Sequence, residues 1–129
     1  MIYLDTSVVL AHLLAEDRFP PETLWKERLV SSRLLVYETW VRIHGRGLGK
    51  SHGEAVNDLM ARVSFLELDT VVLARALDPF PLPVRPLDAL HLATLEFLRG
   101  LGQQVELASY DVRQREAAKR LGIPICEWA

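Results

Sequence analysis

Three features of this 129-residue chain predict an α/β fold, a three-layer α/β/α sandwich around a short parallel sheet. Short apolar runs suited to buried strands alternate with longer stretches of helical periodicity, the order that parallel strands and their crossovers require. Hydrophobic residues make up 50% of the chain and charged residues 25%, enough apolar surface for a substantial core without disulfides or a structural metal. No Gly/Ser linker, low-complexity tract or repeat interrupts the pattern, so residues 1–129 are expected to form one domain.

The elements follow in order. "IYLD" reads as a short buried strand, and a helix from Thr6 to about Ala15 follows it, with Thr6 or Ser7 able to cap its start. Pro20-Pro21 separates this helix from "ETLWKERL", a second helix entered through proline. "LVSS" is a brief strand leading into a helix from Leu34 to Arg46, which the glycine-rich "GRGLG" ends. In that helix Leu34, Leu35, Trp40 and Val41 are expected to face the interior, while Glu38 and Arg42 share another face at i, i+4. Ser51 and Glu54 have capping-box spacing and open the helix "SHGEAVNDLMARV". "SFLEL" is a strand, Thr70 begins the helix "TVVLARAL", and "DPFPLPVRP" is an extended, proline-stiffened loop. The next helix, "LDALHLATLEFLRG", is apolar nearly all round and therefore central. "VELASY" is a strand, "DVRQREAAKRLG" a helix with its closing glycine, and "IPICEW" a last strand.

Composition narrows the function. A formal charge of −2 cannot attract nucleic acid by itself, so such a partner would need a local basic patch or a bound cation. Cys126 is the single cysteine, which excludes an internal disulfide and suits a reducing cytoplasm. Asp5 interrupts the apolar start and no Lys or Arg precedes it, which argues against a signal peptide. No run approaches the ~18 apolar residues that span a bilayer, so no membrane role is expected.

The charged residues inside this apolar pattern carry the chemistry. Asp5 ends the first strand, Asp111 follows the strand "VELASY", and Asp88 opens the central helix. In an open parallel sheet, sites form at the carboxyl ends of the strands, which is where these acids fall. Each could instead cap a helix, and Gln114 stands where a capping box with Asp111 would want it. Capping explains Asp5 least well, because Thr6 and Ser7 are sufficient for that task. Glu38 is either a surface partner of Arg42 or a fourth carboxylate, with Arg42 balancing its charge or reaching for a phosphate.

Carboxylates that converge repel one another unless a cation joins them. Oxygen donors without Cys or paired His at metal spacing point to a hard ion, Mg²⁺ or Mn²⁺, and away from Zn²⁺. Such ions complete their coordination with water and phosphate, so the expected chemistry is on a phosphate ester. His91, three residues after Asp88, reads as a helix-packing histidine rather than a catalytic one. "RIHGRGLGK" gathers Arg42, His44, Arg46 and Lys50, either as an RNA-binding patch or as a solvated helix end.

Four segments in order resemble PIN-domain ribonucleases, in particular the VapC-type toxins of toxin–antitoxin pairs. They are "YLDTSVVLAHL", "SSRLLVYETWVRI", "PLDALHLAT" and "LASYDVRQREAAKRLGI", and the third is the most specific. The resemblance implies that Asp5, Glu38, Asp88 and Asp111 form a catalytic and metal-binding site, with Ser7 as its supporting hydroxyl. It further implies Mg²⁺- or Mn²⁺-dependent endonucleolytic cleavage of RNA, a homodimer, and inhibition by an antitoxin whose tail enters the site. The proline-rich "DPFPLPVRP" ahead of Asp88 departs from the family pattern and bears on loop shape and substrate choice. Three alternatives stay open: an RNA-processing nuclease without a toxin role, a catalytically silent partner-binding domain, and a phosphatase of the Asp-x-Asp kind. The last lacks its second acid, because Ser7 stands two residues after Asp5.

Overall fold

Strand β1 (Ile2–Leu4) is buried along its whole length, and its side chains alternate between two separate cores. Ile2 and Leu4 pack with Val8, Val9, Leu35 and Leu59 on one face of the sheet; Tyr3 packs with Leu92, Leu95, Leu107 and Ala117 on the other. Two cores separated by one sheet make a three-layer sandwich. The computed structural model describes residues 1–128.

The sheet has the order β3-β2-β1-β4, where β2 is Leu29–Ser32, β3 is Val63–Leu66 and β4 is Glu106–Ala108. Every pairing is parallel, so all four carboxyl ends reach the same rim. Helices α1 (Thr6–Leu13), α2 (Leu34–Gly45) and α3 (Gly49–Met60) supply the first core. Helices α5 (Pro86–Gly100) and α6 (Val112–Arg120) supply the second, and α4 (Thr70–Ala76) packs against α5. Among the described residues no helix is long and apolar enough to cross a membrane.

Several local expectations need correction. "ETLWKERL" forms only a 3₁₀ turn over Glu22–Lys26, with Pro21 just before it. Helix α3 starts at Gly49, two residues before Ser51, whose hydroxyl donates back to the Leu48 carbonyl at 3.2 Å instead of capping. Gly47, at φ +68°, lets the chain turn from α2 almost directly into α3, so the helix begins earlier than the capping-box spacing implies. Val63, expected at the end of that helix, already belongs to β3. The interior face of α2 is Leu35, Thr39 and Ile43, a strict i, i+4 stripe, which leaves Val41 49% exposed. "IPICEW" provides one parallel bridge, between Ile125 and Leu107, rather than a strand.

Other local features follow the sequence closely. Asp69 caps α4 by accepting from the Val72 N–H at 3.0 Å, and α6 stops at Gly122, where φ is +75°. Cys126 is buried filling, and that burial, aided by Glu106, pushes its thiol up to about 12.

Candidate active site

The common rim of the parallel strands brings the four acids together. Asp5 follows β1 directly, Glu38 stands in the second turn of α2 beyond β2, Asp111 lies just past β4, and Asp88 is in the first turn of α5. All four line one cavity of about 840 Å³, which Ser7, Arg42, Arg46 and Arg85 also line. Lys50, at the start of α3, is exposed and does not line it.

Asp5 is 5% exposed and held by hydroxyls. Ser7 Oγ donates to Asp5 Oδ2 at 2.6 Å and Ser109 Oγ donates to the same oxygen at 2.9 Å. Ser7 Oγ in turn accepts the Tyr110 N–H at 2.9 Å, and Ser109 Oγ accepts the Asp111 N–H at 3.0 Å, which ties the ends of β1 and β4 together. Asp5 is also the N-cap of α1, through a longer contact from the Ser7 N–H at 3.4 Å. The expected caps Thr6 and Ser7 do not serve, and Thr6 Oγ1 is buried without a partner.

Glu38 does not pair with Arg42. Its Oε1 accepts from His91 Nε2 at 2.5 Å, across from α5 to α2. A carboxylate can only accept, so Nε2 carries a proton, and on the other side of the ring Nδ1 is hydrogen-bonded to the Tyr3 hydroxyl at 2.7 Å. The Tyr3 oxygen accepts the Ser32 N–H at 3.2 Å. A relay therefore runs from β2 through the fully buried Tyr3 and His91 to the half-buried Glu38. Burial pulls the His91 pKa down, but the Glu38 hydrogen bond and the charges of Asp5, Glu38 and Asp88 outweigh it and leave the pKa raised. Burial pushes the Tyr3 phenol up, which keeps it protonated. His91 packs helices together as expected, and it also fixes the carboxylate.

Asp88 and Asp111 are held differently. Arg85 Nε donates to Asp88 Oδ2 at 3.0 Å, and its Nη2 donates to Asp111 Oδ2. Burial raises the Asp88 pKa; Arg85 offsets part of that rise, while the charges of Asp5 and Asp111 add to it. Asp111 Oδ1 caps α6 by accepting the Gln114 N–H at 3.1 Å. The reciprocal half of a capping box is absent, because the buried Gln114 side chain donates to the Asp88 carbonyl at 3.3 Å and anchors α6 to the start of α5.

Among the described residues no donor reaches Asp5 Oδ1, Glu38 Oε2 or Asp88 Oδ1, whereas both oxygens of Asp111 are engaged. Three acids thus have one oxygen fixed by the protein and one left over, the division that suits carboxylates oriented for a hard cation. Donor chemistry fits Mg²⁺ or Mn²⁺. The spacing is looser: among the described residues no group of three or more His, Cys, Asp or Glu side chains is arranged to hold an ion as it stands. Arg85 lies between two of the acids in this arrangement.

Sequence reasoning singled out the four acids, Ser7, Arg42 and Arg46, and all of these line the cavity. It missed Ser109, Tyr3 and Arg85. A hydroxyl two residues before Asp111 and an arginine three before Asp88, at the helix-neighbour spacing, were the available signals.

A parallel α/β sandwich with acids at the carboxyl rim, in this chain order, defines a class. Residues 2–120 match the PIN domain family, and the chain belongs to it. Among its relatives, a protein named Ribonuclease VapC46 from Mycobacterium tuberculosis (strain ATCC 25618 / H37Rv) is 34% identical over 96% of this chain and 95% of its own length. Ribonuclease VapC35 of the same species is 30% identical over 97% of this chain and 95% of its own. Family membership sets the Asp-x-Asp phosphatase reading aside.

Proposed function

We propose that the protein is an endoribonuclease that hydrolyses RNA phosphodiester bonds with the help of Mg²⁺ or Mn²⁺, and that it serves as the toxin of a toxin–antitoxin pair. The observation that carries this reading is the set of acids at one rim, three of them with one oxygen anchored and one free. The names of the VapC relatives support RNA as the substrate.

Asp5, Glu38, Asp88 and Asp111 would hold the ion. When bound, such an ion stabilises charge on the scissile phosphate and makes a coordinated water more acidic. The chain's own residues then do the positioning. Ser7 and Ser109 fix Asp5, and His91 fixes Glu38 so that its free oxygen can orient the attacking water. Arg42 and Arg46 line the cavity beside the acids, where a guanidinium can donate two hydrogen bonds to the phosphate oxygens of an RNA strand. A cognate antitoxin, a homodimer and a cytoplasmic location belong to the same reading.

The test is incubation of the purified protein with structured RNAs in Mn²⁺ or in EDTA. Cleavage in Mn²⁺ that EDTA abolishes is expected; cleavage indifferent to EDTA, or none with any RNA, defeats the proposal. Growth arrest on expression, relieved by the product of an adjacent short reading frame, is the expected sign of a toxin. Its absence alongside RNA cleavage would favour an RNA-processing role.

A further inference from the structure

The proline-rich segment ahead of α5 is firmly seated. Phe80, Leu82 and Val84 alternate inward and pack on the second core. Arg75 binds Glu96 at 2.8 Å, donates to the carbonyls of Asp78 and Pro79, and lies over the Phe80 ring at 4.2 Å. Pro86 occupies the first turn of α5 and restricts the residue before it to extended backbone, and Arg85 has φ −72° and ψ 156°. The main chain at Arg85 is therefore set by its surroundings. Its side chain is 63% exposed, so the guanidinium can leave its partners without disturbing the core.

We propose that Arg85 is the resident counter-cation of the acid pocket: its guanidinium bridges Asp88 and Asp111 in place of a divalent ion, and metal loading requires it to swing outward. Asp111 makes the case sharpest. One of its oxygens caps α6 and the other accepts Arg85, so it gains an oxygen free of donors only when Arg85 departs. Among the described residues the buried carboxylate of Asp88 likewise takes its one side-chain donor from Arg85. A cation already in place lowers the mutual repulsion of the acids and lets the pocket fold before any ion arrives. The same contact sets a threshold on metal affinity, because Arg85 and the ion compete for the same two acids. The released guanidinium remains at the pocket mouth, within reach of a strand whose phosphate has entered.

The inference rests on the acids being a metal site, and its test separates the two ideas. Mn²⁺ binding to the full chain is followed by electron paramagnetic resonance in the parent protein, Arg85→Gln, Arg85→Lys, and the control Arg120→Gln. Arg120 pairs with Glu116 on the exposed side of α6, so it reports the effect of merely removing one positive charge. Arg85→Gln is expected to bind Mn²⁺ about tenfold more tightly, the range that two partly exposed ion pairs span. Arg85→Lys, which cannot reach both acids in a planar fork, should show a smaller gain, and Arg120→Gln almost none. Equal or weaker binding by folded Arg85→Gln, or an equal gain in Arg120→Gln, overturns the role of Arg85 while the metal site stands. Absence of Mn²⁺ binding in every variant overturns both.

Discussion

The acid pocket has two halves that are neutralised in opposite ways. Around Asp5 and Glu38 the partners are set in the fold: the hydroxyls of the half-buried Ser7 and the buried Ser109 on one acid, and the buried His91 backed by Tyr3 on the other. Around Asp88 and Asp111 the charged partner is one exposed arginine that both acids share. Hydroxyls orient Asp5 without cancelling its charge, and a histidine locked in the core holds Glu38 in one place, so the first half is rigid. A guanidinium cancels charge and can leave. One half is thus a fixed set of donors for a cation, and the other is a latch over the remaining donors.

The comparison is tested hardest at Asp5. Asp5→Asn keeps the shape and helix-capping ability of the side chain but removes the charge, so RNA cleavage should fall by at least ~10²-fold, more than loss of a supporting residue typically costs. Its melting curve should stay near that of the parent. Substantial cleavage by Asp5→Asn would dissolve the distinction between the halves.

His91 comes next. His91→Ala leaves Glu38 Oε1 without its donor, and cleavage should drop ~10- to 100-fold with weaker Mn²⁺ binding. His91→Gln, which keeps an N–H within range, should recover part of both, and a failure to rank Gln above Ala would mean that His91 matters only for packing. Ser109→Ala removes one of the two hydroxyls on Asp5 and should cost roughly tenfold in metal affinity. That change is opposite in sign to the one expected of Arg85→Gln, and a shared sign would erase the contrast between fixed and releasable partners.

The smallest effect concerns the basic residues at the pocket edge. Arg46 lines the cavity and Lys50 does not. In binding assays with single-stranded RNA, made on an inactive Asp5→Asn background, Arg46→Glu should lower the slope of log affinity against log salt by about 1, and Lys50→Glu by less. Equal slopes would show that the edge is not graded as the geometry requires.

Much of the fold was legible because burial on both faces writes itself into sequence. "IYLD" and "LVSS" are short, mostly apolar or small, and bounded by helical periodicity, and they became β1 and β2 within a residue of their expected limits. The failures lie where tertiary contacts override local signals. Ser51 and Glu54 have the right spacing, yet the turn at Gly47 lets α3 begin at Gly49, before either can cap it. Val41 looks like an inward residue by type, yet the helix turns Leu35, Thr39 and Ile43 to the core.

The site divides along the same line. Acids at strand ends are visible in sequence because a carboxylate amid apolar runs is costly unless something there stabilises it. Their partners are not, since Ser109, His91 and Tyr3 meet them only through the packing of β4, α5 and β1. Arg85 sits beside Asp88 at i, i+3, but its second contact, to Asp111, is made 26 residues along the chain. Half of the latch is local and half exists only in the folded protein.

The most direct measurement is anomalous scattering from crystals soaked in Mn²⁺. The account predicts one or more manganese peaks bound by oxygens of Asp5, Glu38, Asp88 and Asp111, with the Arg85 guanidinium turned away from Asp88 and Asp111. Four acids without manganese among them, at an ion concentration that supports RNA cleavage, would contradict it.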